Sequence, residues 1–71
     1  MIIVINDNLV PKAFHTLDTY KIWCIDEVKR GINPDLLLGN CVYEVLEGEE
    51  ANENNYVNMH EFHINLYKII V

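Results

Sequence analysis

The chain has 71 residues, 51% of them hydrophobic, with eleven acidic and five basic side chains and a formal net charge of −6. That length allows one domain, which buries only about 60% of the surface its unfolded chain exposes, and the apolar content is too high for a disordered segment. The acidic balance disfavours direct nucleic-acid binding, which needs Lys and Arg against phosphates, and disfavours anionic membranes for the same reason.

The charge is unevenly placed. Residues 1–31 carry Asp7, Asp18, Asp26 and Glu27 against Lys12, Lys21, Lys29 and Arg30, and balance. Residues 32–71 carry Asp35, Glu44, Glu47, Glu49, Glu50, Glu53 and Glu61 against Lys68 alone. Two cysteines, Cys24 and Cys41, are too few for a disulfide framework. No signal-peptide pattern is present, and Met1–Ile5 is too short an apolar run for a membrane span. The expected location is cytoplasmic, with both thiols reduced.

Taken in order, residues 1–5 form a β-branched run that predicts a strand buried on both faces, ended by the turn chemistry of Asn6-Asp7-Asn8. Residues 9–15 contain Pro11, which argues against a central strand. They are expected to be an irregular connection, with Leu9, Val10 and Phe14 reaching the core. Residues 16–30 carry the clearest helical period. Leu17, Tyr20, Cys24 and Val28 share one face, with Trp23 and Ile25 beside it. Thr16 suits the N-cap, Asp18 and Lys29-Arg30 suit the helix dipole, and Gly31 supplies the stop. Ile22 falls on the polar side.

Residues 32–40 predict a single helical turn, capped by Asn33, started by Pro34 and ended by Gly39, which plugs Leu36, Leu37 and Leu38 into the core. Residues 41–47 alternate. Cys41, Tyr43, Val45 and Glu47 face one way and Val42, Glu44 and Leu46 the other, as on a strand with one strongly apolar and one mixed face. Residues 48–55, rich in Glu and Asn, predict a solvated loop. Residues 56–71 fit two periods. As a strand, Phe62, Ile64, Leu66 and Ile70 align, broken only by Lys68. As a helix, Tyr56, Met59, His63, Leu66 and Ile70 align, and Asn58 with Glu61 resembles a capping box. The closing Ile-Ile-Val favours a strand, placed at 61–70. The expected fold class is α+β, in the order β-α-(short helix)-β-β, with one long helix packed on a small sheet. A crossover between parallel strands would be right-handed.

Three groups could carry chemistry. His60 and His63 share a face only on a helix, where they could form one edge of a zinc site. A third ligand would have to be His15, Cys24 or Cys41, and no spacing supports one, so no metal is expected. A Cys–His nucleophile pair is conceivable, but Cys24 lies on an apolar face and no Gly-rich oxyanion loop is present. Paired carboxylates could serve a hydrolase, but a domain this small rarely encloses a substrate pocket. No phosphate-cradling Gly loop exists, and no cofactor or catalytic residue is expected.

The distinctive feature is the block Glu44, Glu47, Glu49, Glu50 and Glu53, five carboxylates within ten residues and no cation among them. Such a field steers a basic partner. It is also what keeps a hairpin tip soluble. The block is the expected partner-binding site, and the spacing is not that of a calcium loop. The reading favoured is a non-enzymatic acidic binding protein. It would act as an inhibitor or modulator on a basic, nucleic-acid-binding surface of another protein, with the Asn, Ile and Tyr bias pointing to a phage or mobile element. The alternative is a homo-oligomeric module joined through a strand edge or Ile22. The third reading is a small metal- or thiol-dependent enzyme.

Overall fold

The structure, a computed structural model, describes residues 1–7 and 9–70, with the backbone alone for Leu9 and Ile70. It is an α+β fold. Four strands, β1 (Ile2–Asn6), β2 (Leu9–Phe14), β3 (Cys41–Glu44) and β4 (Tyr56–Val57), form one sheet in the order β2-β1-β3-β4. Every pairing among the described residues is antiparallel, so the condition for a right-handed parallel crossover does not arise among them. Among the described residues three helices accompany the sheet: α1 (Leu17–Lys29), α2 (Pro34–Leu37) and α3 (His60–Asn65). Short 3₁₀ turns span Glu53–Asn55 and Leu66–Ile70.

Local chemistry sets α1. The Thr16 hydroxyl oxygen accepts from the Thr19 amide at 3.2 Å. At the other end Gly31 takes φ +110°, which costs a glycine little. Its amide bonds Val28 O and the Ile32 amide bonds Glu27 O. This paired pattern is the Schellman motif, and it satisfies carbonyls the helix end would otherwise leave open. In α2, Asn33 Oδ1 accepts from the Asp35 amide at 3.0 Å, with Pro34 in the first turn.

The core lies between the sheet and the helices. Ile2, Val4 and Val42 from the sheet meet Tyr20, Cys24 and Val28 from α1, Leu37 from α2, and Met59 and Leu66 from the C-terminal segment. Phe14, Tyr20 and Trp23 form an aromatic cluster beside it, with ring centroids 5.4–6.3 Å apart.

The structure differs from the sequence expectations at five places. The strand placed at 61–70 is instead α3 followed by a 3₁₀ turn. The helical stripe prevails because it puts Met59, His63 and Leu66 inward together, 6%, 3% and 2% exposed. Residues 9–14 are an edge strand rather than an irregular connection, and an edge tolerates Pro11 because outward-facing amides need no partner. Phe14 packs against the core while Val10 is 80% exposed. The expectations for Asn8 and for the Leu9 and Ile70 side chains lie outside the described residues. The first strand is covered on one face only, since Ile5 is exposed and Ile3 half-buried. Of Leu36, Leu37 and Leu38 only Leu37 is plugged in, on the side it shares with buried Pro34, because a single turn can bury only one side; Leu36 and Leu38 stay exposed. Strand β3 ends at Glu44 rather than residue 47, although a mutual pair of bonds between Met1 and Val45 extends the ladder by one step.

Candidate protein-binding surface

The acidic block spans the connection from β3 to β4. Glu44 closes β3, Glu53 opens the 3₁₀ turn, and Glu47, Glu49 and Glu50 lie between them. All five side chains are exposed. Among the described residues the ion pair formed is Arg30 with Glu27, i and i+3 on α1, and it involves none of the five.

The connection is nevertheless built. The Glu49 amide donates to Leu46 O at 3.0 Å, and the Leu46 amide donates to Glu49 Oε1 at 2.6 Å. Gly48 at φ +85° allows this tight turn, a conformation that a Cβ would strain. Asn52 then caps the 3₁₀ turn through Oδ1, which accepts from the Asn54 amide at 2.8 Å, while its Nδ2 donates to Glu50 O. One carboxylate, Glu49, therefore shapes the loop as well as charging it. Leu46, 74% exposed, stands among the carboxylates as an apolar point.

A second polar cluster lies inside the protein, and the sequence reading missed it. Asn6 Nδ2 donates to Leu36 O at 2.9 Å and to Asn40 Oδ1 at 2.7 Å. Asn40 Nδ2 donates to Tyr20 Oη at 3.0 Å, and Tyr20 Oη lies 2.8 Å from His63 Nε2. Tyr20 Oη, which accepts from Asn40, thus shares a second hydrogen bond with His63 Nε2. Burial pushes the His63 pKa down, with the charge of His60 adding to it. Burial raises the Tyr20 phenol, and it pushes the Cys24 thiol up to about 11. The chain of side chains links β1, the segment after α2, α1 and α3. Partners 20 to 43 residues apart carry no local signal; the one hint in the sequence is a Tyr and a His on the inward faces of two amphipathic stretches.

This arrangement also decides where the candidate chemical groups stand. His63 is turned inward onto Tyr20 while His60 is exposed, so the two rings do not converge although they share a helix. Among the described residues no three His, Cys, Asp or Glu side chains gather, and no pocket forms. Cys24 is fully buried and Cys41 is exposed. No described helix is long and apolar enough to cross a membrane. Comparison of the chain with protein-family models, with curated proteins and with solved structures gave no match.

Proposed function

We propose that this chain is a small acidic binding protein that works by occupying a basic surface of another protein, with the loop from Glu44 to Glu53 as its recognition element. The observation that carries this reading is a loop whose five carboxylates are all exposed while hydrogen bonds from Leu46, Asn52 and Asn54 hold its backbone. A preordered loop loses less conformational freedom on docking. Unneutralised charge acts over about 8 Å at physiological salt, and complementary charge raises the rate of encounter. Leu46 supplies an apolar contact within that field. A surface that ordinarily holds nucleic acid has the matching basic character, so an inhibitor or modulator of such a protein is the specific form proposed, acting in the cytoplasm and encoded by a phage or mobile element.

The test is retention of lysate proteins on the immobilised chain at low salt. Basic proteins should be held and then released as salt rises. A variant with Glu47, Glu49, Glu50 and Glu53 all changed to Gln keeps size, polarity and the Oε1 acceptor at position 49. It should lose binding by more than about tenfold, as each desolvated charge pair contributes roughly a kcal/mol or more. Equal retention by parent and variant would remove the loop from the reading.

A further inference from the structure

The helices cover one face of the sheet, and the pairing register fixes what stands on the other. Ile3 is opposite Ala13 on one side and Tyr43 on the other, Tyr43 is opposite Tyr56, and Ile5 is opposite Cys41. Residues directly opposite share a face, and their alternating neighbours Ile2, Val4 and Val42 are the ones buried beneath the helices. Tyr56 is 52% exposed and Ile5 39%; Ala13 and Cys41 are exposed, and Ile3 and Tyr43 half-buried. The two tyrosine rings meet edge to face at 5.9 Å. None of these six side chains is charged, in a chain where 23% of residues are.

Acidic side chains stand at both ends of this bare face, with the Met1 ammonium, bonded to Val45 O, at the same end as the loop. Asp7 follows β1 at one end of the sheet, and the Glu-rich loop joins β3 to β4 at the other. The Lys and Arg side chains belong to the opposite side. Lys12 lies over the Trp23 ring and Lys21 over the Phe62 ring, each 5.7 Å from the centroid. Lys29 and Arg30 end α1, and Lys68 is in the last 3₁₀ turn.

We infer that the bare sheet face docks a basic amphipathic segment of a partner protein. Its apolar side chains lie on Ile3, Ile5, Tyr43 and Tyr56, and its Lys and Arg side chains reach the loop carboxylates at one end and Asp7 at the other. The inference rests on the reading of the acidic loop and extends it from a charge to a surface. Tyrosine faces accept a guanidinium or ammonium as well as an apolar side chain. A second copy of this chain fits less well, since it would bring together two chains of net charge −6. Three strand spacings by four residue steps also make the face only about 14 by 13 Å, small beside the roughly 800 Å² per partner of a stable interface. A basic segment adds contacts along both acidic ends, which a second copy cannot.

Cys41 is a built-in reporter, because it stands on this face while Cys24 is fully buried. The probe is a synthetic helical peptide with Leu and Ile on one side and Lys and Arg on the other, titrated by fluorescence anisotropy while Cys41 alkylation is timed. At saturation it should slow alkylation at least tenfold, and the same peptide with Gln for its cations should not. Tyr56→Ser and Ile5→Thr, both at exposed positions, should each weaken binding several-fold with the amide spectrum unchanged. Peptide binding with Cys41 fully reactive would overturn the inference and leave the loop reading standing. No binding at all would count against both. Protection that grows with chain concentration in the absence of peptide would overturn it in favour of a second copy.

Discussion

Replacing Tyr20 with Phe removes one oxygen and strands two partners. Tyr20 is 0% exposed, and its Oη joins Asn40 Nδ2 at 3.0 Å to His63 Nε2 at 2.8 Å. Without the hydroxyl, Asn40 Nδ2 and His63 Nε2 each lose a buried hydrogen-bond partner. Each buried unsatisfied group costs about 1–3 kcal/mol, so a loss of about 2–6 kcal/mol is expected. The ring packing against Phe14 and Trp23 survives the change, which keeps the effect specific to hydrogen bonding. A domain of this length has a total stability of roughly 4–11 kcal/mol, so the variant should sit close to its unfolding threshold. Urea denaturation followed by circular dichroism reads this directly. With a slope of about 1 kcal/mol per molar for a chain this small, the midpoint should fall by about 2 M or more. His63→Leu should also destabilise. The double variant should lose less than the two single losses combined, by about 1 kcal/mol, because the two side chains share one bond. A Tyr20→Phe midpoint within about 0.5 M of the parent would refute the network as a determinant of stability.

Two further outcomes follow from the same cluster. Burial holds the His63 pKa below its ordinary value near 6.5, so the unfolded chain binds that proton more readily than the folded one. Stability should be full above about pH 6.5 and decline as pH falls below it, by at most about 1.4 kcal/mol per unit. Urea midpoints between pH 7 and 5 should show this slope, and His63→Gln should flatten it; an unchanged slope would mean that His63 is not the group titrating. Gly39 approaches the cluster closely, since an added Cβ would stand 3.2 Å from Asn6 Nδ2. That nitrogen is already fixed by Leu36 O and Asn40 Oδ1, so Gly39→Ala should cost about 1 kcal/mol by crowding it, and a thermal melt of unaltered midpoint would contradict this.

Sequence made the first half of the fold readable where its determinants are local. Thr16 and Gly31 bound α1 through contacts within three to five residues, and Asn33 and Pro34 start α2 in the same way. Residues 56–70 were not readable, because Leu66 satisfies both the helical and the alternating pattern. What separates them is a partner for His63 that lies 43 residues away. Strand β2 was hidden by Pro11, whose meaning depends on whether the strand is central or at an edge, and that is a property of the sheet. The five exposed glutamates could be found by counting charges. The turn that holds Glu49, and the bare face carrying Tyr43 and Tyr56, needed the strand register.

The most direct measurement is the association rate of the chain with a basic partner recovered at low salt, followed by stopped flow across ionic strengths. Steered encounters reach 10⁸–10⁹ M⁻¹s⁻¹ against about 10⁵–10⁶ without steering. The parent should associate rapidly at low salt and slow steeply as salt rises. The chain with Gln at 47, 49, 50 and 53 should associate slowly at every salt concentration. Matching rates and matching salt dependence for the two chains would contradict the proposal that this loop recognises the partner.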